Sequence, residues 1–263
     1  MKRRTADWGQ ALWAGCFWLV ALGPFLSPGL LLAIKKENLV EYTDAMGSRL
    51  FLGGGGARGP VIYVIDMPKH SFELPTATRG LSSNVVMVPV RRWNDALTPW
   101  PAAGLYRGEQ DFGGNAPATL RELVEQAIPA IEADAGLAPS ARAICGYSLG
   151  GLFALYAFVH ADVFVASACL SGSVWYEGWV DHLRGLDRRL DGHFAYLSVG
   201  TKEKRASRPI LKGVQRNMEE CADILRGCGC EVCYQTGPGN HMQHVDERFL
   251  AGLSAVDGFV ARQ

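Results

Sequence analysis

A serine lies in a glycine-rich frame between a strand pattern and a helix pattern, and this junction constrains the fold more than any other feature. The frame is Gly146-Tyr147-Ser148-Leu149-Gly150, and a further glycine, Gly151, follows it. Ala141 to Cys145 is typical of a short buried strand, and Leu149 to His160 is typical of an apolar helix. Because the chain turns sharply there, the flanking glycines leave room that a Cβ would fill. A serine on such a turn projects its hydroxyl outward, as a nucleophile must.

Apolar runs typical of strands alternate with segments of helical periodicity from about residue 37 to the end of the chain. The predicted strands are Leu39–Thr43, Arg49–Leu52, Val61–Asp66, Val85–Val90, Ala141–Cys145, Val163–Leu170, Phe194–Val199 and Cys230–Gln235. The predicted helices are Leu120–Ala135, Leu149–His160, Ile210–Arg226 and Asp246–Val260, with Glu122, Glu125 and Glu132 on a solvent face of the first. The alternation predicts one α/β domain over residues 37–263, with a mostly parallel central sheet, helices on both faces and little or no cap.

Residues 1–36 stand outside this pattern and are predicted to be an N-terminal extension. Basic residues at positions 2–4 precede an uncharged apolar run, Ala11 to Ile34, that is long enough to cross a bilayer. Pro24 and Pro28 interrupt the run, and no small-x-small cleavage site precedes Lys35. A signal peptide or membrane anchor, a peripheral extension and a start codon assigned too far upstream all stay open. We expect a cytoplasmic protein, with a membrane-anchored or exported form as the alternative.

The charge of the chain argues against a nucleic-acid partner. Lysine plus arginine number 26, as do aspartate plus glutamate, so the net charge is zero, and no basic stripe is present. We therefore expect a small-molecule ligand, recruited by shape and local polarity, while a homodimer stays open.

Cysteines gather between Cys221 and Cys233, but their arrangement does not favour a disulfide framework. The total of seven is odd, and reduced thiols around a helix, turn and strand are the expected state. Cys228, Cys230 and Cys233 suggest a structural metal as the alternative. Their spacing is irregular and no second ligand pair lies nearby, so no metal site is predicted.

Three residues with catalytic side chains, Ser148, Glu203 and His241, each come just after a predicted strand. In open parallel sheets ligands bind beyond the carboxyl ends of the strands, so these side chains are expected to meet there. Their chain order, serine then acid then histidine, is the order of an α/β-hydrolase triad. An imidazole would take the serine proton, and a carboxylate would hold that imidazole in the required tautomer.

Alternatives remain for two members of this triad. His244 lies only three residues beyond His241, but the irregular Gly-Pro-Gly-Asn loop before His241 favours the earlier histidine. Lysines flank Glu203, and a glutamate in such a setting is often an ordinary surface residue.

The same chemistry requires backbone donors for a developing oxyanion. Leu149, directly after the nucleophile, is the first expected donor. Met67, in the loop after the Val61 strand, is the second, because Pro68 has no N–H.

Gly146 to Gly151 resembles the nucleophile elbow of the esterase family that includes esterase D and the enterobactin (enterochelin) esterases, in the α/β-hydrolase superfamily. The further similar segments are Tyr63–Asp66, Leu97–Pro101, Asp111–Gly114, Ser171–Trp175, Gly200–Glu203 and Gly239–His241. The resemblance runs from about Leu39 to the C-terminus. Many hydrolases share the elbow, so the segments around Trp100 and Trp175 carry the resemblance to this family.

The resemblance implies a cofactor-free serine esterase acting on carboxylic esters, in some relatives the lactone linkages of catecholate siderophores. It places Trp175, and with it Trp93, Trp100 and Tyr147, around the substrate. Relatives commonly have glycine where this chain has Met67, which leaves the second oxyanion donor open.

We therefore expect a serine esterase that forms an acyl-enzyme on Ser148. Two alternatives keep the same fold: an acyltransferase that passes the acyl group to an alcohol, and an inactive binding protein on a hydrolase scaffold.

Overall fold

The computed structural model describes residues 41–43, 48–66 and 78–263, all of which belong to the unit that spans residues 31–263. The predicted apolar segment at 11–34 and Met67 lie outside the described residues, and the domain boundary near residue 36 stays a prediction. Within the described ranges, none of the helices has the length and hydropathy that a membrane crossing requires.

Strands and helices alternate through most of the described chain. The strands are β1 Glu41–Thr43, β2 Arg49–Phe51, β3 Val61–Asp66, β4 Asn84–Pro89, β5 Pro101–Ala102, β6 Phe112–Gly113, β7 Arg142–Tyr147, β8 Ala166–Leu170, β9 Phe194–Gly200 and β10 Glu231–Gly237. The α-helices are α1 Trp93–Ala96, α2 Ala116–Glu122, α3 Ile128–Ala135, α4 Leu149–His160, α5 Trp179–Arg184, α6 Pro209–Lys212, α7 Val214–Gly227 and α8 Val245–Val260. A π-helical turn covers Leu123–Ala127, and 3₁₀ turns cover Gly56–Arg58 and Glu203–Arg205.

The central sheet has eight strands in the order β1-β2-β4-β3-β7-β8-β9-β10. β2 is antiparallel to both β1 and β4, and every other neighbouring pair in this sheet is parallel. β5 and β6 form a separate antiparallel pair. The predicted mostly parallel α/β sheet is confirmed, and the parallel strands β3, β4 and β7 to β10 have their carboxyl ends at one common edge.

Helices cover both faces of this sheet, because alternate residues of each buried strand point to opposite faces. Along β3, Tyr63 packs in the larger apolar cluster, which also holds the buried side of α4 and of α7. Ile62 and Val64 pack in the second cluster with Phe249 and Leu253 of α8. The predicted two-sided cover is therefore confirmed.

The helix predicted over Leu120–Ala135 is interrupted. α2 ends at Glu122, the π-helical turn follows, and α3 begins at Ile128 with Pro129 in its first turn. Proline has no N–H for the carbonyl one turn earlier, so regular helical hydrogen bonding cannot continue through this position. The predicted helix Ile210–Arg226 is likewise divided, into α6 and α7.

Glu132 of α3 is buried, at 9% exposure, so its predicted position on a solvent face was wrong. Its Oε1 accepts hydrogen bonds from Tyr63 Oη at 2.7 Å and from Arg142 Nε at 2.6 Å. Arg142 Nη2 donates to Oε2 at 2.7 Å, which completes a bidentate ion pair. Burial and the adjacent Glu132 carboxylate raise the pKa of Tyr63, so the phenol remains a donor. The carboxylate thus ties α3 to β3 and β7.

Glu132→Ala is expected to lower the free energy of unfolding by about 2–4 kcal/mol, because it leaves Tyr63 and Arg142 without their shared acceptor. Urea unfolding at neutral pH, followed by circular dichroism, measures the change. Glu125→Ala, at an exposed position in the preceding turn, is the control and should stay within about 0.5 kcal/mol of wild type. Equal effects of the two substitutions would contradict the assigned role of Glu132.

Candidate active site

Ser148 occupies the turn between β7 and α4 with φ 58° and ψ −123°, a backbone conformation that L-residues rarely adopt. A Cβ on Gly146 would lie 2.1 Å from the carbonyl oxygen of Gly150, so only glycine fits at that position. The Ser148 carbonyl accepts a hydrogen bond from the Ser173 N–H at 2.9 Å, and the Ser148 N–H donates to the Leu170 carbonyl at 3.1 Å. The predicted sharp strand-to-helix turn is present, and it is anchored to the end of β8.

His241, in the loop after β10, lies between the other two predicted residues. Its Nε2 is 3.0 Å from Ser148 Oγ, and its Nδ1 is 3.0 Å from Glu203 Oε2. With the Nδ1 proton donated to the carboxylate, Nε2 is left to accept the serine proton. The structure therefore brings together side chains from the carboxyl ends of β7, β9 and β10.

His244, the alternative histidine, lies away from the serine. Its Nδ1 is 3.1 Å from Glu247 Oε1, and both side chains are exposed. The arrangement favours His241 as the partner of Ser148.

The carboxylate of Glu203 is buried, with a side chain only 4% exposed, and each of its oxygens has a hydrogen-bonding partner. Oε1 accepts hydrogen bonds from Ser171 Oγ at 2.8 Å and from the Gly200 N–H at 2.7 Å, while Oε2 faces His241. A glutamate at a lysine-rich surface, the other reading of this position, does not match its burial.

Opposing effects act on the pKa of Glu203. Burial disfavours the charged form, but the hydrogen bond and charge of His241, with the Gly200 N–H and the Ser171 hydroxyl, outweigh it and hold the pKa below its usual 4.5. The carboxylate is therefore ionised at neutral pH.

A cavity of about 190 Å³ opens beside Ser148 and His241. Its lining comprises Leu105, Ser148, Ser171, Ser173, Trp175, Glu203, Ala206, Leu211, Val214 and His241. The polar side chains belong to the catalytic cluster and its neighbours, and the remaining wall is apolar. Among the predicted aromatic residues, Trp175 is part of this wall.

Tyr147, Trp93 and Trp100 are not part of the cavity lining. Tyr147 is fully buried, and its hydroxyl donates to the His241 carbonyl at 2.7 Å. Trp93 contacts the start of α4, where its ring lies 3.2 Å from the position of a Cβ on Gly150. Trp100 donates from Nε1 to the Glu177 carbonyl at 3.0 Å. The structure therefore places none of these three side chains in the wall of the cavity.

Leu149 begins α4 directly after Ser148, so its N–H is one of the first amides of a helix, which lack intrahelical acceptors. It is suitably placed to donate to an oxyanion. Met67, the second expected donor, lies outside the described residues.

Two residues that contact the catalytic cluster were not predicted to belong to the site. Ser171 follows β8 and donates to Glu203, and Arg248 lies near the start of α8. Ser171 could have been found from its position, because it follows a predicted strand directly, as Ser148 follows another. The signal for Arg248 was weaker: a cation in the first turn of the final helix.

The cysteine-rich segment has no metal-site geometry. Cys221, Cys228, Cys230 and Cys233 carry free thiols. In the part of the chain that the structure describes, no group of three or more His, Cys, Asp or Glu side chains is placed to hold a metal ion.

Comparisons with known proteins point to one family. The model of the family described as "Putative esterase" matches residues 54–226. The protein YbbA of Bacillus subtilis (strain 168) is 27% identical over 172 residues, which cover 62% of this chain and 69% of YbbA.

Solved structures share the fold at low sequence identity. Siderophore hydrolase EstA from Aspergillus nidulans has a TM-score of 0.62 at 18% identity, covering 92% of this chain and 99% of EstA. An IroE-like serine hydrolase from Shewanella oneidensis has a TM-score of 0.66 at 15% identity, covering 84% of this chain and 79% of the other. The architecture is that of the α/β-hydrolases.

The lowered pKa of Glu203 predicts a pH dependence of stability. Because the folded-state pKa lies below the unfolded value of 4.5, Glu203 stabilises the fold above that pH, and this contribution is lost as pH falls through the folded-state pKa. The difference in free energy of unfolding between wild type and Glu203→Gln should therefore shrink on acidification. Urea unfolding from about pH 7 to about pH 3 measures it. Glu231→Gln, at an exposed position, is the control, and a difference that stays constant or widens in acid would contradict the prediction.

Proposed function

Because the chain belongs to this esterase family and is a carboxylic ester hydrolase, we propose that it opens its ester through an acyl-enzyme formed on Ser148. The observation that carries the proposal is the continuous contact from Ser148 Oγ through His241 to Glu203, with 3.0 Å at each step. Both distances are within hydrogen-bonding reach, so His241 can take the proton of Ser148 while Glu203 orients the imidazole.

In the first half of the reaction, Ser148 Oγ attacks the ester carbonyl while His241 Nε2 takes the hydroxyl proton. The tetrahedral intermediate collapses, the bond to the alcohol breaks, and His241 returns the proton to the leaving oxygen. Glu203 keeps the imidazole in the required orientation and stabilises its transient positive charge. The Leu149 N–H donates to the oxyanion, and Met67 remains our candidate for the second donor.

In the second half, a water molecule attacks the acyl carbonyl while His241 Nε2 takes its proton; the bond to Ser148 Oγ then breaks, the acid leaves, and His241 returns the proton to Ser148 Oγ. The His241 side chain is 37% exposed, so solvent can reach it, whereas the Glu203 side chain behind it is buried. This exposure leaves the acyl-enzyme open to attack by water, as hydrolysis requires. A competing alcohol in the assay distinguishes hydrolysis from transfer of the acyl group to another alcohol, since a transferase would form the new ester as its main product.

The size of the cavity supports a compact apolar acyl group as the part of the substrate bound there. At about 190 Å³ it is smaller than the roughly 300–1,000 Å³ of sites that enclose whole ligands. Its wall away from the reacting atoms is formed by Leu105, Trp175, Ala206, Leu211 and Val214. A short aliphatic or a single aromatic acyl group fits this chemistry, while the alcohol part extends into solvent.

A siderophore ester is the second candidate substrate. EstA is named as a siderophore hydrolase, which favours this class for a chain of the same fold. A panel of p-nitrophenyl acyl esters and a catecholate trilactone, assayed side by side, separates the two classes.

Ser148→Ala is expected to lower kcat for a p-nitrophenyl ester by about 10⁶-fold, because the acyl-enzyme cannot form. A fluorophosphonate probe should label wild type and leave the variant unlabelled, as read by intact mass. Ser254→Ala, at an exposed position of α8, is the matched control and should keep both activity and labelling. Undiminished turnover by Ser148→Ala would contradict the proposal, and an unreactive wild-type serine would favour an inactive binding scaffold.

The proposed acyl cavity predicts a dependence on chain length. Each methylene that enters it contributes about 0.8 kcal/mol, so kcat/KM should rise about fourfold per methylene from acetyl to butyryl and fall for a dodecanoyl ester. Ala206→Leu fills part of the cavity and should reduce kcat/KM for butyryl much more than for acetyl. Ala261→Leu, at an exposed position, is the control. Equal losses on both esters, or undiminished dodecanoyl turnover, would show that the acyl group binds elsewhere.

A further inference from the structure

Arg248 lies in a position that is unfavourable for a cation unless specific partners stabilise it. It is in the first turn of α8, where the helix dipole favours negative charge, and it is only 5% exposed. A buried guanidinium is strongly destabilising without partners for its charge and its N–H groups. The hydrogen-bonding partners of Arg248 therefore indicate the role of this buried side chain.

The guanidinium holds the loop that carries His241. Arg248 Nη2 donates to the Pro238 carbonyl at 2.8 Å, and Nη1 donates to the Asn240 carbonyl at 3.2 Å. Nη1 also donates to Tyr147 Oη at 2.7 Å, and Tyr147 Oη in turn donates to the His241 carbonyl at 2.7 Å. Three carbonyls of the loop are thus fixed, directly or through Tyr147, by one side chain.

The same guanidinium lies next to the acid. Arg248 Nη1 is 3.7 Å from Glu203 Oε1, and both side chains are almost completely buried. The distance is too long for a hydrogen bond, yet in this setting opposite charges interact strongly. Arg248 therefore contacts the surroundings of both His241 and Glu203.

Gly200, at the end of β9, leaves the space that the guanidinium occupies. A Cβ on Gly200 would lie 2.4 Å from Arg248 Nη2 and 2.5 Å from the Gly239 carbonyl oxygen. The backbone next to the acid is thus matched to an arginine at position 248.

We propose that Arg248 is a positioning residue for ester hydrolysis. It holds the Pro238–His241 loop so that His241 Nε2 stays within reach of Ser148 Oγ, and it compensates the charge of Glu203. The inference rests on the proposed Ser148–His241–Glu203 triad. Arg248 does not line the cavity, so it acts on the rate of the chemical step and not on substrate binding.

Two substitutions at position 248 separate charge from hydrogen bonding. Arg248→Met removes both and should lower kcat by about 100-fold with KM unchanged within about twofold, since small displacements of a catalytic group have effects of this size. Arg248→Lys keeps the charge, but the lysine ammonium cannot reproduce the two fixed directions in which the guanidinium donates. We therefore expect kcat to fall by about tenfold. The rate of fluorophosphonate labelling of Ser148 should fall in parallel with kcat. Arg262→Met, at an exposed position beyond the other end of α8, should match wild type.

Tyr147→Phe tests the hydrogen-bonded path with a smaller change. It removes only the hydroxyl between Arg248 and the His241 carbonyl, and a loss in kcat of about threefold to tenfold is expected, again at constant KM. Because both residues hold the same loop, the loss of kcat in the double variant should be smaller than the product of the two single losses. Circular dichroism and melting temperatures establish that each variant is folded at the assay temperature.

Several results would overturn the inference. One is a kcat of Arg248→Met within twofold of wild type. Another is a change in KM with kcat unaffected. A third is a loss of kcat in the double variant equal to the product of the two single losses. A loss of kcat explained entirely by an unfolded fraction, with Tyr147→Phe and Arg248→Lys fully active, would also overturn it. Failure of the triad itself would appear separately, as an active Ser148→Ala enzyme.

Discussion

The backbone at Ser148 is held in a conformation that is disfavoured for an L-residue, and the rest of the site is arranged around it. Such strain costs roughly 1–3 kcal/mol and persists only where surrounding structure enforces it. The enforcement is local: β7 and α4 approach so closely that Gly146 has no space for a side chain, and Ser173 and Leu152 both donate to the Ser148 carbonyl. The turn places the hydroxyl beyond the sheet edge, where β9 and β10 also end.

Burial changes steeply across the catalytic cluster, from a carboxylate almost without solvent to an imidazole that is more than one-third exposed. The buried end has fixed hydrogen-bond donors in place of water, namely Ser171 and the Gly200 N–H, so Glu203 remains charged without solvation. The exposed end lets the imidazole exchange protons with water and substrate. One hydrogen-bonded series of side chains thus combines a stable charge with an accessible base.

Local patterns were sufficient to predict the sheet, the elbow and the order of serine, acid and histidine, since each depends on apolar runs and on what directly follows a strand. They failed at Glu132, because the helical period looked amphipathic while the partners Tyr63 and Arg142 come from two strands. Arg248 was also missed. Its partners are Tyr147 of β7, far away in the sequence, and backbone carbonyls of the irregular loop after β10, and contacts of these two kinds produce no periodic pattern of residue types.

The segments around Trp100 and Trp175, on which the family resemblance rests, together build one wall of the cavity. Trp100 Nε1 donates to the Glu177 carbonyl at 3.0 Å, and Tyr176 Oη donates to the Trp100 carbonyl at 2.6 Å. These two bonds hold the segment that begins with Trp175, whose ring also packs on Phe112 with centroids 6.0 Å apart. Trp175 lines the cavity and Trp100 fixes its neighbours, so both segments shape the same wall of the cavity. Substitutions at Trp100 would then change the shape of the cavity without removing any group from its surface.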